Sequence, residues 1–358
     1  MQHLQTFLNA ARLYAMSSAF RAPLARWSVT RDVGISGNHT TGAQVPILLY
    51  LTLAAGLILL VAGGEGLVRG AVALAGRLGV SPLLIGLTVV GFGTSTPELV
   101  TSLQAAFADA PGIAVGNVVG SNIANILLIL GVSAILAPVI VSRRAFQRDG
   151  GAMIAATVVV TGIVVTGALG RVGGAILLAG LVAYIWTAYR LDRAAPSPES
   201  AEIAAGDMAL WKAALYALGG IALTVLGARF LVMSATELAG RLGVSDAVIG
   251  LTVVAVGTSL PELVTSVMAA IRKQGDIAFG NVLGSNIYNI AGILGITALV
   301  HPLEVPSEIA AFDIWVMCGA TALLAVVATT AWRISRAEGG FLLLLYAAYI
   351  GWLAYGAL

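Results

Sequence analysis

Hydrophobic residues along this chain form long runs that are separated by short polar or glycine-rich segments. Runs of spanning length begin near Val45, Ser81, Gly112, Asp149, Val172, Leu210, Ser245, Ile277, Glu308 and Gly339. Because a helix of about 20 apolar residues crosses the hydrocarbon core of a bilayer, this pattern predicts about ten transmembrane helices. A membrane barrel would instead need short strands of alternating polarity. The sequence therefore predicts an all-α polytopic membrane protein.

Two polar sequence motifs interrupt these apolar runs, and each motif occurs twice, in the same order. Residues 86–98 read GLTVVGFGTSTPE, and residues 250–262 read GLTVVAVGTSLPE. Residues 116–125, GNVVGSNIAN, return as residues 280–289, GNVLGSNIYN, at the same offset of 164 positions. Since no gap is needed across this block, the sequence indicates an internal duplication.

The duplication predicts how the chain is organised. Residues 45–191 form a first five-helix repeat and residues 210–358 a second, joined by a hydrophilic cytoplasmic linker at 192–209. An odd number of spans in each half places the second half upside down in the membrane. Such inverted-topology repeats hold their substrate site near the midplane, at broken helices. Residues 1–44 contain no spanning run, and we expect them to be a disordered extension or to precede the true start.

Composition and charge place these helices in a membrane with a defined orientation. The chain is 59% hydrophobic and only 10% charged, whereas a soluble domain carries about 25% charged residues. Basic residues gather on one set of alternate loops, and the opposite loops carry acids such as Asp109, Glu304 and Glu308. By the positive-inside rule, the basic loops are cytoplasmic. We therefore predict a multi-pass protein of the inner (plasma) membrane with both termini outside.

The first repeated motif combines a helix break with an acid. Pro97 has no N–H to continue a helix through Gly93, so the span is expected to be two half-helices, with Thr96 as the N-cap of the second. Glu98 follows at once, and a charged acid inside a span costs roughly 2.5–3.5 kcal/mol even on a lenient scale. Glu262 occupies the matching position of the second copy. Two such acids at equivalent breaks indicate a shared cation.

The second repeated motif adds neutral oxygens. Asn117, Ser121 and Asn125 are four residues apart and share one helical face, and Asn281, Ser285 and Asn289 repeat the arrangement. The single cysteine, Cys318, and the three histidines form no converging motif, which argues against zinc, copper or iron. Ligation by oxygen alone fits Ca²⁺ and the similarly sized Na⁺. One divalent or two monovalent cations would neutralise the two acids, which is a physical basis for obligatory exchange.

The paired motifs GTSxPE and GNxxGSNIxN resemble the alpha repeats of the sodium/calcium exchanger family, in the cation/calcium antiporter superfamily. The prokaryotic ten-helix members are the nearest match, and the threonine in GTSxPE is typical of the sodium-coupled branch. The resemblance implies a transporter without cofactor that exchanges Ca²⁺ for Na⁺. It also implies a set of metal-ligating residues: Glu98, Glu262, Thr94, Ser95, Thr258, Ser259, Ser121, Asn125, Ser285 and Asn289.

One departure from the family pattern concerns the charge of the site. Some members carry an acid at the position of Asn289, whereas both copies here have asparagine. The predicted site therefore contains two carboxylates rather than three. That difference bears on how many monovalent ions the site binds and on any role for potassium.

Several alternatives remain open from the sequence. The nearest is a proton/calcium or other divalent-cation antiporter on the same scaffold, and a more distant one is a cation channel. The acids could be structural, the hydroxyls could be caps, and the asparagines could join helices; for Asn117 and Asn281 the two interpretations are evenly balanced. Glu65 and Arg69, and Glu237 and Arg241, are predicted ion pairs. No feature predicts an enzyme, a nucleic-acid partner or a protein partner.

Overall fold

The computed structural model describes residues 47–194, 208–241 and 255–356, and these ranges are almost entirely helical. The predicted extension at 1–44 and most of the predicted linker lie outside the described residues. The helices are α1 Ile47–Leu78, α2 Pro82–Thr94, α3 Thr96–Phe107, α4 Pro111–Leu136, α5 Arg143–Val165, α6 Arg171–Ala194, α7 Leu210–Arg241, α8 Ala255–Thr258, α9 Leu260–Ile271, α10 Gly275–Val300, α11 Ile309–Thr330 and α12 Arg336–Gly356.

The predicted class, an all-helical membrane protein, is confirmed. Within the described ranges, eight helices are long and apolar enough to cross a membrane, and α2 and α3 form one further, bent span. The 12-residue helix α9 is too short to span by itself, and the residues before α8 lie outside the described ranges. Ten spans therefore stays a prediction, as do the proposed domain boundaries.

Helices α1 and α7 are equivalent in the two halves and pack against each other at unusually short range. An added Cβ on Gly63 would lie 2.6 Å from the Thr224 nitrogen, and one on Gly70 would lie 2.3 Å from the Ala217 nitrogen. Because contacts further along α1 fall earlier along α7, the two helices run antiparallel. Equivalent helices that run antiparallel are what an inverted repeat requires.

Two pairs of short strands also join the two halves, and the second pair repeats the first with the halves exchanged. β1 (Val139–Ile140) pairs antiparallel with β4 (Arg333–Ile334), and β2 (Ala168–Leu169) pairs antiparallel with β3 (Leu303–Glu304). Each pair joins the segment after the third helix of one half to the segment before the fifth helix of the other. The core lies between these halves, where α4 and α10 are mostly buried.

Both predicted ion pairs are confirmed, and one of them has an additional partner. Arg69 Nε lies 2.5 Å from Glu65 Oε1, and Arg241 Nε lies 2.7 Å from Glu237 Oε1. Arg272, at the end of α9, also donates two hydrogen bonds to Glu65, one of them from Nε to Oε2 at 2.9 Å. This third residue connects α1 to the helix that carries Glu262.

The α1–α7 contact predicts different outcomes for two adjacent glycines. A Cβ on Gly220 would lie 2.4 Å from the Leu67 nitrogen, whereas a Cβ on Gly219 would meet nothing within 4 Å. We expect Gly220→Ala to destabilise the protein by about 1–3 kcal/mol through overpacking. Gly219→Ala should be neutral or stabilise by up to about 1 kcal/mol, because alanine favours a helix. Thermal unfolding in detergent measures both, and equal melting temperatures would contradict the close contact.

Candidate cation site

The helix is interrupted within the first repeated motif. Helices α2 and α3 meet at an angle of 43°, and Ser95 between them has φ −82° and ψ 8°. Pro97 carries no N–H, so the Gly93 carbonyl lacks its usual helical donor. Ser259, between α8 and α9, repeats the conformation with φ −90° and ψ 8°. At each of the two breaks, backbone oxygens of the first half-helix thus lie next to the first turn of the second half-helix.

The predicted N-cap at Thr96 is wrong by one residue. Helix α3 begins at Thr96, and Ser95 is its N-cap, but the Ser95 side chain makes no capping hydrogen bond. Its hydroxyl instead donates to Glu262 Oε1 in the other half, at 2.8 Å. The serine is therefore used for a contact between the halves and not for local capping.

The two acids lie in the first turns of α3 and α9 and are removed from solvent. Glu98 is 0% exposed and Glu262 is 1% exposed. Ser259 Oγ donates to Glu98 Oε1 at 3.4 Å, which is the counterpart of the bond from Ser95 to Glu262. Since each acid accepts a hydrogen bond from the serine of the opposite motif, the two motifs meet at one point.

One oxygen of each carboxylate remains without a hydrogen-bond donor. Glu98 Oε2 and Glu262 Oε2 are buried and have no hydrogen-bond partner in the structure. A buried acceptor without a partner costs about 1–3 kcal/mol, and more if it is charged. Two such oxygens at equivalent positions are therefore suited to a cation, which would satisfy both atoms at once.

Asparagine side chains fix the backbone beneath the acids. Asn117 Nδ2 donates to the Glu98 carbonyl at 3.1 Å and to Ser102 Oγ at 3.0 Å. Asn281 Nδ2 makes the matching bonds to the Glu262 carbonyl at 3.2 Å and to Ser266 Oγ at 2.8 Å. The sequence left the roles of these asparagines open. Their position on the same helical face as the predicted ligands was the signal that they belong with the site.

Asn125 and Asn289 lie where the inner helices widen into π-helical turns, at Asn125–Ile129 and Tyr288–Leu294. Both amides are buried, and none of their side-chain nitrogen or oxygen atoms has a hydrogen-bond partner. The turn at Asn125 packs against α9, and the turn at Asn289 packs against α3. Single π-helical turns inside α-helices occur frequently at functional sites. Each amide is thus placed beside the helix that carries the acid of the other half.

The remaining predicted residues surround these groups. Thr94 Oγ1 lies 3.0 Å from the Val90 carbonyl and 3.3 Å from Asn281 Oδ1. Ser285 Oγ donates to the Gly91 carbonyl at 3.4 Å, on the helix before the break. Ser121 is buried, and Thr258 is half-buried at the end of α8. Residues 250–254 of the second motif lie outside the described ranges.

The donor set consists of oxygen atoms. In the described part of the chain, no three His, Cys, Asp or Glu side chains are grouped so that they could hold a metal ion. Carboxylate, amide, hydroxyl and carbonyl oxygens are the ligands of hard cations such as Ca²⁺. Two buried carboxylates near each other repel unless cations neutralise them. One divalent or two monovalent cations would balance the charge of the two carboxylates.

The chain is similar to known proteins over both of its halves. A family model described as sodium/calcium exchanger protein matches residues 48–190 and, separately, residues 212–355. The sodium/calcium exchanger MaX1 of Methanosarcina acetivorans is 36% identical over 86% of this chain and 98% of its own length. The inner membrane protein YrbG of Escherichia coli is 36% identical over 86% of this chain and 96% of its own length.

A solved structure gives the same result for the fold. The sodium-calcium exchanger NCX_Mj, in a crystal soaked with Na⁺ and Ca²⁺, superposes with a TM-score of 0.75 and 34% sequence identity. The superposition covers 85% of this chain and 98% of the NCX_Mj chain. The similarity therefore extends over nearly the whole transmembrane region and includes both halves.

Asn281 is hydrogen-bonded and Asn286 is not, so their replacement should lower the stability of the protein by different amounts. Asn281→Ala removes the donors to the Glu262 carbonyl and to Ser266, and should destabilise the protein by about 1–3 kcal/mol. Asn286, five residues later, has no hydrogen-bond partner for either amide atom, so Asn286→Ala is the matched control and should cost less. Thermal unfolding of the two purified variants decides the point. An equal or larger loss for Asn286→Ala would remove the assigned role of Asn281.

Proposed function

This chain belongs to the sodium/calcium exchanger protein family, and from that premise we propose that it exchanges Ca²⁺ for Na⁺ by alternating access around Glu98 and Glu262. It is a transporter rather than an enzyme, and the two ions are its substrates, with no cofactor. The observation that carries the proposal is the reciprocal pair of hydrogen bonds from Ser95 to Glu262 and from Ser259 to Glu98. These bonds support a single site that contains both acids.

Charge compensation explains why the two ions would exchange rather than leak. The empty site would contain two carboxylates in a region of low dielectric, where their repulsion is strong. One Ca²⁺ or two Na⁺ would cancel this charge, so crossing the membrane is favourable only with a cation bound. The full proposed ligand set consists of Glu98, Glu262, Thr94, Ser95, Thr258, Ser259, Ser121, Asn125, Ser285 and Asn289.

Alternating access needs a surface on which one group of helices slides past the other, and the close contacts of α7 support its role as that surface. The Ile221 side chain of α7 occupies the space beside Gly93, where an added Cβ would lie 2.3 Å from Cδ1. Val232 of α7 likewise occupies the space beside Gly257, at 2.2 Å from the added Cβ to Cγ2. Glycine at both breaks thus lets α7 cross them closely. We propose that α1 and α7, joined by their own glycine contacts, move together across the ion-binding helices.

The membrane location follows from the family and from charge. The chain is a multi-pass membrane protein, and its relative YrbG is described as an inner membrane protein. We propose an inner-membrane location with both termini outside, because the basic loops should face the cytoplasm. A phosphatase that is active only outside the cytoplasm, fused after residue 358, should therefore show activity. Fusion in the loop after α6 should show none, and the opposite pattern would reverse the orientation.

The paired acids predict loss of transport on neutralisation. In proteoliposomes with an imposed sodium gradient, the parent protein should take up isotopic calcium. Glu98→Gln and Glu262→Gln should each reduce uptake to background, because each leaves one carboxylate to balance a divalent ion. Glu237→Gln, at an exposed acid on α7, is the matched control and should transport normally.

Two results would contradict this proposal. Unaltered exchange in both glutamine variants would mean that the acids do not hold the substrate. Calcium uptake driven by a pH gradient alone, without sodium, would instead favour the proton-coupled alternative and overturn the assignment of sodium.

A further inference from the structure

A further acid, Asp313, lies inside a spanning helix and outside the central site. Asp313 is the fifth residue of α11, and its Oδ1 accepts a hydrogen bond from Tyr349 of α12 at 2.9 Å. The first half contains the same pair: Asp149 Oδ1 accepts from Tyr184 at 3.1 Å. Asp149 and Asp313 are related by the offset of the repeat. The aspartate–tyrosine pair is therefore a common element that joins the fourth and fifth helices of each half.

The two copies of this pair differ in charge. Asp149 is 0% exposed and forms an ion pair with Arg148, at 2.6 Å from Nε to Oδ1. The residue before Asp313 is Phe312, and no salt bridge to Asp313 occurs among the described residues. A neutral acceptor would suffice to bind Tyr349, and a charge inside a span is costly. Among the described residues, Asp313 therefore has no basic partner of the kind that Arg148 gives Asp149.

Asp313 borders a cavity that reaches the polar face of α4. The cavity holds about 320 Å³; most of its lining is apolar, and its polar lining residues include Asp313, Tyr349, Asn117 and Ser121. Gly120 also lines it, and an added Cβ there would meet nothing within 4 Å. Asn117 connects the cavity to the central site, because its amide donates to the Glu98 carbonyl at 3.1 Å.

The cavity lies near the acidic end of the molecule. Asp313 is about 6 Å below the start of α11, from a rise of about 1.5 Å per residue. The α3–α4 and α10–α11 loops meet at this end, where His301 Nε2 lies 3.5 Å from Asp109 Oδ1. Asp109, Glu304 and Glu308 are exposed there, and nearby Arg171 donates to the Leu299 carbonyl. Carboxylates thus occur in the loops at this end of the molecule and, inside the span, at Asp313.

We propose that this cavity is an entrance for hard cations, Na⁺ or Ca²⁺, in which Asp313 supplies the attracting charge and Asn117 and Ser121 supply the next oxygens. The entrance serves the Glu98 side of the site, and the inference rests on the proposed exchange function. A cleft lined by one sign of charge raises the local concentration of the opposite ion. Asp313 therefore controls how readily a cation enters and does not itself remain a ligand of the bound ion.

The test separates the charge of Asp313 from its hydrogen bond. Sealed membrane vesicles of known sidedness give the KM for calcium, and for sodium, added on the face that carries Asp109 and Glu304. We expect Asp313→Asn to raise KM on this face by about tenfold at low ionic strength, with the maximal rate retained. Asp313→Glu, which keeps the charge, and Tyr349→Phe, which removes only the hydrogen bond, should both retain the parent KM.

Ionic strength provides a measurement that needs no variant. Added choline chloride shortens the Debye length from about 10 Å at 0.1 M to about 3 Å at 1 M. The parent KM on this face should therefore rise with choline chloride, and the difference between the parent and Asp313→Asn should shrink.

Other outcomes would overturn the inference while leaving the exchange function in place. These are an unchanged KM for both ions in Asp313→Asn, an equal rise on both faces, or the same rise in Tyr349→Phe. A parent KM on this face that is independent of choline chloride would also overturn it, even if Asp313→Asn failed to reach the membrane. Loss of sodium-driven exchange in the parent would instead refute the proposed function itself.

Discussion

The burial of two carboxylates in one place is the constraint on which the rest of this structure depends. A bilayer supplies no water to solvate Glu98 and Glu262, so hydroxyls and backbone groups must do so, together with the cation that we propose. Three features meet this requirement. They are the helix breaks, the serines that donate to the acid of the opposite half, and the asparagines that donate to the backbone carbonyl of each acid. One oxygen of each carboxylate, Oε2, still remains without a hydrogen-bond donor.

Glycine makes the enclosure of this polar cluster possible. An added Cβ on Gly284 would lie 2.4 Å from the Leu87 carbonyl oxygen, and one on Gly280 would lie 2.7 Å from the Leu83 carbonyl oxygen. Helix α10 therefore lies directly against the backbone of α2, just before the break that leads to Glu98. Small residues permit such close approach where no hydrophobic driving force operates between helices in lipid. Dense packing around the acids then excludes lipid and keeps the oxygens in place.

The contacts between the halves are reciprocal, whereas the side chains that surround them are not. Serine–glutamate bonds, asparagine–backbone bonds and strand pairs each occur twice with the halves exchanged. By contrast, Arg148 compensates Asp149, and Phe312 stands at the equivalent position beside Asp313. The symmetric contacts thus surround the proposed central site, and the asymmetric side chains allow the two faces of the membrane to differ.

The sequence by itself determined the membrane class, the duplication and the two acids, because each is a pattern of residue types at fixed spacing. It also determined the ion pair of Glu65 with Arg69, which lie one helical turn apart. Only the tertiary structure decided that Arg272 joins this pair from 207 positions away, that Ser95 serves Glu262 instead of its own helix, and that Asn117 and Asn281 hold the backbone of the acids. Local spacing specifies which residues share a helical face. Which faces meet depends on how the two halves pack, and that is a property of the whole fold.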